Sequence, residues 1–265
     1  MKIVFDIGGT NMRIALAEGE ALREIRKVPT PQNAKDGVEM LARIAHELAG
    51  KELTAAVGDV PSSVDSGGHM YNATNLPQWE GTNIVGELSH ALGTSVRVLN
   101  DTVVVGYGET QKGAGRGFQR VAYITVSTGV GGALIDVNDV SKSPLLAELG
   151  AVKPRLEAQV SGTAVRKKFG IHPKDLESLE EREKLADILA GGLAEIAAAW
   201  KPDVFVLGGS MIVGTNPVPL ERAEESLRAR GVEVPVKMAE LEDNGGLIGA
   251  CVLAVRPNFL DGTPS

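Results

Sequence analysis

The 265-residue sequence predicts an α/β protein. Three observations carry that expectation. Short apolar runs of strand length alternate along the chain with longer stretches of helical periodicity. Three of the strand-like runs end in glycine loops, at 8–9, 129–132 and 208–209. Glycine supplies 32 of the 265 residues, about 12%, against a usual share of about 7%. A glycine surplus without low complexity points to tight loops where backbone approaches a ligand.

The elements follow in order. Ile3–Phe5 is a short, wholly apolar strand, and Met12–Ala17 alternates enough to be a second. Glu18-Gly19-Glu20 turns the chain into a third strand, Ala21–Lys27. Val38, Leu41, Ala42, Ala45 and Leu48 recur at helical spacing over 37–49, and Gly50 is the stop. Leu53–Val57 reads as a strand, Thr82–Leu92 as a helix and Ser95–Leu99 as a strand. A helix follows over Asp101–Gln111, then strands at Val121–Val126 and Gly132–Val137. Helices are expected at Ser161–Phe169 and Leu179–Trp200, a strand at Asp203–Leu207, and final helices at Pro219–Arg230 and Gly245–Val255. Residues 257–265 read as a short tail. Gly113-Ala114-Gly115-Arg116-Gly117 follows a helix, not a strand, and reads as a flexible connection.

Composition removes several classes of function. With 27 Lys and Arg against 34 Asp and Glu, the net charge is −7. An acidic chain without a basic block is a poor partner for nucleic acid or an anionic membrane. The single cysteine, Cys251, excludes an internal disulfide framework and any multi-cysteine metal site. It reads as a buried small apolar residue. No histidine pair has metal-ligand spacing. The N-terminus lacks the basic, apolar and cleavage regions of a signal peptide, and no apolar run approaches the length of a membrane span. A cytoplasmic location is expected. The length is that of roughly two domains.

The chemistry concentrates in the loops. Asp6-Ile7-Gly8-Gly9-Thr10-Asn11 delivers a carboxylate, two glycines and a hydroxyl between two strands. Such a turn can present backbone N–H groups to phosphate; equally, it can be a two-glycine hairpin turn whose Asp6 satisfies local N–H groups. Ser127-Thr128-Gly129-Val130-Gly131-Gly132 and Gly208-Gly209-Ser210 are further strand-ended loops. Leu99-Asn100-Asp101 ends a strand and starts a helix. It reads either as a helix N-cap or as a base at the edge where open α/β sheets bind ligands. A carboxylate there can take the proton of a substrate hydroxyl during phosphoryl transfer, and Asp6 can hold Mg²⁺ beside the phosphates.

Taken together these segments resemble the sugar kinases of the ROK family (repressors, open reading frames and kinases), within the actin/hexokinase superfamily. The order is DIGGTN at 6–11, TNLPQW at 74–79, LND at 99–101, TVSTGVGGA at 125–133 and LGGS at 207–210. Glu148-Leu149-Gly150, Leu156-Glu157 before Ser161-Gly162, and Asp243-Asn244 before a glycine-rich helix resemble three further elements of that family. The resemblance implies a two-domain actin-like ATPase fold of the ribonuclease H-like kind, with an interdomain cleft. A small α/β domain over 1–98, with 249–265 packing back onto it, would be followed by a large α/β domain over 99–248. It implies that Asp6, Gly8, Gly9, Thr10, Thr128, Gly129, Gly208 and Gly209 bind nucleotide, with Asp6 assisting Mg²⁺. Asn75, Asn100, Asp101, Glu148 and Glu157 would bind the sugar, with Asp101 as the base.

The implied activity is ATP-dependent phosphorylation of a hexose hydroxyl, on glucose, fructose or an N-acetylhexosamine. The alternative is a non-catalytic sugar- or nucleotide-binding sensor. A homodimer is expected from the resemblance. Three departures fall near the sugar. Ala151 stands where the family has a histidine; the chain runs from Val152-Lys153-Pro154-Arg155 straight into Leu156-Glu157, so no zinc-binding segment and no zinc are expected; and Asp59-Val60-Pro61-Ser62-Ser63 replaces a glycine-rich stretch.

Overall fold

A computed structural model describes residues 1–50, 52–215 and 217–256. The expected tail at 257–265 lies outside the described residues. Contacts divide the chain into two compact units: Met1–Gly108 with the chain from Asp243 onward, and Glu109–Glu242.

The first unit is built on five strands. β1 (Lys2–Ile7), β2 (Asn11–Glu18) and β3 (Ala21–Pro29) form an antiparallel meander. After α1 (Ala34–Ala49), β4 (Ala55–Val60) pairs parallel with β1. The small hairpin β5 (Ser63–Val64) and β6 (Met70–Tyr71) precedes α2 (Ile84–Leu92). β7 (Val96–Asn100) then pairs parallel with β4, giving the order β3-β2-β1-β4-β7, and α3 (Asp101–Lys112) leaves its end. β1 carries the apolar run Ile3–Phe5 because it is a central strand: Ile3, Phe5 and Ile7 join Leu41, Ala45 and Leu88 in one core, while Asp6 lies toward its C-terminal end. α1 starts three residues before the apolar periodicity does, because Asn33 caps it by accepting the Asp36 N–H. β4 runs on through Asp59, past the expected end at Val57, and all six of its residues are buried.

The second unit holds β8 (Arg120–Val126) and β9 (Val130–Asp136), an antiparallel hairpin, followed by α4 (Val152–Val160), α5 (Gly162–Phe169) and α6 (Leu179–Trp200). β10 (Val204–Gly208), the short α7 (Ser210–Val213), α8 (Leu220–Ala229) and β11 (Val236–Met238) complete the order β11-β10-β8-β9. The core sets Leu185, Leu189, Leu193 and Ile196 of α6 against Phe205 and Leu207 of β10 and Leu227 of α8. Helix α4 was not expected. It starts directly after the turn at Gly150, and Pro154 sits in its first turn, where no helical donor is needed.

The glycine run at 113–117 is a fixed turn rather than a flexible connection. Glu109 is fully buried, and its Oε2 accepts the Ala114 N–H at 2.8 Å. Its Oε1 accepts the N–H groups of Glu240 and Leu241, both at 2.9 Å. A Cβ at Gly113 would fall on Glu109 Oε2, so position 113 has room only for hydrogen.

The chain then returns to the first unit as α9 (Gly245–Val255), packed on β1 and β4. Cys251 lies on it, fully buried as a small apolar residue, its Sγ 3.4 Å from the Gly19 carbonyl. No helix among the described residues is long and apolar enough to cross a membrane.

Candidate active site

In the first unit β1, β4 and β7 run parallel, so their C-terminal ends share one edge. Register places Asp6 beside Asp59, Asp59 beside Leu99 and Val60 beside Asn100. The edge therefore gathers Asp6, Asp59, Asn100 and Asp101. The hairpin register sets Arg13 opposite Asp6, and Arg13 Nη1 donates to Asp6 Oδ2 at 3.1 Å. Asp243 lies 3.7 Å from the same guanidinium.

Asp59 is fully buried, and neither of its carboxylate oxygens has a hydrogen-bond partner. Its carboxyl lies against that of Asp6: a Cβ at Gly246 would be 2.9 Å from Asp59 Oδ2 and 3.0 Å from Asp6 Cγ. Two ionised carboxylates cannot bond one another, but a protonated Asp59 can donate to Asp6. Burial, then the charges of Asp6 and Asp101, hold the Asp59 carboxyl well above the usual carboxylate range. Burial raises Asp6 too, against the lowering charge of Arg13. Burial pushes Asp101 up to about 7, with the Thr102 N–H bond opposing and the Asp6 charge assisting.

Both readings of the Asn100-Asp101 pair have a counterpart at the start of α3. Asn100 Oδ1 and Asp101 Oδ1 accept the Thr102 N–H, at 3.0 and 2.7 Å, and Asn100 Nδ2 donates to the Ser62 carbonyl at 3.0 Å. The Asn100 amide is thus engaged within the protein, while Asp101 stands half-buried at the strand edge.

Gly8, Gly9 and Thr10 form the turn between β1 and β2, with Gly9 and Thr10 exposed. The Gly8 N–H donates to the Asn11 carbonyl at 3.0 Å, and the Thr30 hydroxyl donates to the Gly8 carbonyl at 2.6 Å. Asn75 is brought under this turn: a Cβ at Gly9 would lie 3.0 Å from Asn75 Cβ. The loop leading to it is held by Glu80, whose carboxylate accepts the N–H groups of Asn72 and Ala73.

In the second unit Thr128 and Gly129 turn β8 into β9. The Ser127 N–H donates to the Gly129 carbonyl at 2.9 Å, and the Thr128 side chain is exposed. Gly162 and Thr163, at the start of α5, donate backbone N–H groups to the carbonyls of Ser127 and Thr128. Gly208 and Gly209 end β10 beside Thr125 of β8. Gly209 has φ 87°, and a Cβ there would lie 2.7 Å from Thr125 Oγ1, so the position needs glycine for conformation and for space. The Ser127 and Ser210 hydroxyls meet at 3.0 Å. Thr128, Gly129, Gly208 and Gly209 therefore share the C-terminal ends of two adjacent parallel strands. Glu157 reaches this turn, its Oε2 accepting the Val130 N–H at 3.0 Å. Glu148 is exposed and accepts the Leu145 N–H at 3.1 Å.

Sequence reasoning missed Arg13 and treated Asp59 only as a substitution. The signal for Arg13 was the hairpin itself: a two-glycine turn sets positions 6 and 13 opposite each other. Among the described residues no three His, Cys, Asp or Glu side chains are placed to hold a metal ion.

The family pattern of the ROK family matches residues 2–256. Among curated relatives, a glucokinase of Thermotoga maritima is 26% identical, over 78% of this chain and 80% of its own. An N-acetylgalactosamine kinase of a Shewanella species is 25% identical over 94% of each. Among solved structures, a ROK family glucokinase from Streptomyces griseus, in complex with glucose and AMPPNP, superposes with a TM-score of 0.77 at 25% identity, over 95% of this chain and 98% of that one. Strand-ended glycine turns on two sheets, an acidic strand edge and a match along nearly the whole chain have one common explanation: this chain belongs to the ROK family of sugar kinases and has their actin-like ATPase fold.

Proposed function

We propose that the protein transfers the terminal phosphoryl group of ATP to a hydroxyl of a hexose, with Asp101 as the general base. The observation that carries this reading is Asp101 itself, a half-buried carboxyl at the strand edge beside Asp6, its pKa pushed up to about 7. A base poised near neutral pH accepts a proton most effectively. The sugar oxygen forms the new bond to phosphorus, the bond from phosphorus to the ADP oxygen breaks, and the hydroxyl proton passes to Asp101.

The donors present suit phosphate: glycine-flanked backbone and exposed threonine hydroxyls at Gly9 and Thr10 in one unit, where the Gly8 N–H closes the turn onto Asn11, and at Thr128 and Gly129 in the other. Gly208 and Gly209 supply backbone free of side chains for the rest of the nucleotide. The residues also fit a magnesium ion, because the Asp59 oxygens beside Asp6 have no hydrogen-bond donor and a cation there would ionise and satisfy them. Asp6, with Asp59, would hold the ion. When bound, magnesium neutralises charge on the phosphates, and phosphate oxygens and water complete its shell. Asn75 and Asn100 in the first unit, and Glu148 and Glu157 in the second, are assigned to the sugar hydroxyls.

The test is release of ADP from Mg-ATP in the presence of glucose, fructose, mannose and N-acetylhexosamines in turn. Sugar-dependent ADP with at least one of them is expected. A folded protein that binds a sugar in a calorimeter yet releases no ADP with any sugar would be a sensor and not a kinase.

A further inference from the structure

Glu157 does more in this structure than wait for a sugar. It sits on α4, and its Oε2 accepts the N–H of Val130, the first residue of β9 after the phosphate turn. The turn lies directly on this carboxylate: a Cβ at Gly129 would be 2.8 Å from Glu157 Oε2. Lys153, one helical turn earlier, approaches the same oxygen at 3.5 Å. A lysine four residues before a glutamate is the less favourable order for stabilising a helix, so this pair has little value to α4 itself. It instead holds the carboxylate where Val130 needs it. On its other side the turn is fixed by Gly162 and Thr163 of α5, which hold the carbonyls of Ser127 and Thr128.

We infer that Glu157 is the positioning residue of the Thr128–Gly129 turn, with Lys153 as its anchor, and that through this one carboxylate sugar binding and nucleotide binding are coupled. The inference rests on the kinase reading above, in which Glu157 also receives a sugar hydroxyl. A sugar hydroxyl drawing on Glu157 alters the acceptor available to Val130, and thereby the grip of the turn on phosphate. Coupling of this kind is reciprocal: the factor by which sugar changes nucleotide affinity equals the factor by which nucleotide changes sugar affinity.

The experiment is calorimetric titration of ADP into the full-length protein, with and without the sugar identified by the ADP-release panel. The variants are Glu157→Ala, Glu157→Gln and Lys153→Met. Without sugar, Glu157→Ala is expected to weaken ADP binding about tenfold, the equivalent of one lost hydrogen bond to a charged group. Glu157→Gln keeps an acceptor oxygen and is expected to lose about threefold, and Lys153→Met about twofold. In the wild type, sugar is expected to change ADP affinity about fivefold or more, a factor that collapses toward one in Glu157→Gln. A residue with only a structural role would not move that factor. If Glu157→Ala fails to fold, the Glu157→Gln and Lys153→Met titrations decide the matter. ADP affinity equal to wild type in folded variants that have lost sugar affinity would overturn the inference and leave the kinase reading standing. Absence of ADP binding by the wild type would overturn both.

Discussion

Two buried acids, one in each unit, show what a charge inside a protein is for. Glu109 and Asp59 are both fully buried. Glu109 accepts three backbone N–H groups and ties its helix to the 113–117 turn and to the segment at 240–241. Asp59 accepts none and lies against a second carboxyl. A buried carboxylate with donors on both its oxygens is a structural joint. One without donors destabilises the fold when ionised and keeps its proton instead.

The largest effect is expected beside Asp59, at Asp101. Asp101→Asn should lower turnover about 10³-fold while leaving sugar binding close to wild type. In the wild type, kcat/KM should climb about tenfold per pH unit below about 7 and level off above it, because the base acts only when ionised. An Asp101→Asn enzyme at full rate would move the base elsewhere. The next effect is on stability. Glu109→Ala leaves three N–H groups without an acceptor, the Ala114 one buried and those of Glu240 and Leu241 part-buried, and should cost about 3 kcal/mol in urea unfolding. A loss below about 1 kcal/mol would mean that water replaces the carboxylate, and the contrast with Asp59 would weaken. The smallest effect has the opposite sign. Burial raises the Asp59 pKa above its ordinary 3.8, so its contribution to stability is complete below that pH and is lost as pH rises. Asp59→Asn should therefore match wild type near pH 4 and be more stable by about 1 kcal/mol near pH 8, with divalent cations chelated. Equal stability at both pH values would show that Asp59 is as well satisfied as Glu109.

Most of the fold could be read from periodicity and caps. Leu179–Trp200 and Gly245–Val255 begin and end where expected, and for α6 the reason is local: Ser178 caps it by accepting the Glu181 N–H. Local signals fail where pairing decides. β11 has only three residues, and Lys237 and Met238 are exposed, so nothing in their pattern marks a strand. α4 is short, with Pro154 and three charged residues among its nine, and only its packing on α6 makes it a helix. At the candidate site, motif order pointed to Asp6, Asp101, Thr128 and Gly209, because strand ends and glycine turns are local features. The burial of Asp59 was not legible. The expected strand ends at Val57, two residues short of Asp59, and only the parallel register between β1 and β4 carries the aspartate inside.

Cys251 gives the protein a built-in clock. Its thiol is buried in α9, the segment by which the chain rejoins its first unit, and it is the sole cysteine of the sequence. A thiol reagent can reach it only when that segment opens. Its labelling rate reports the opening of one identified helix, with no engineered probe, and ligands that tighten the first unit will register as a slower clock.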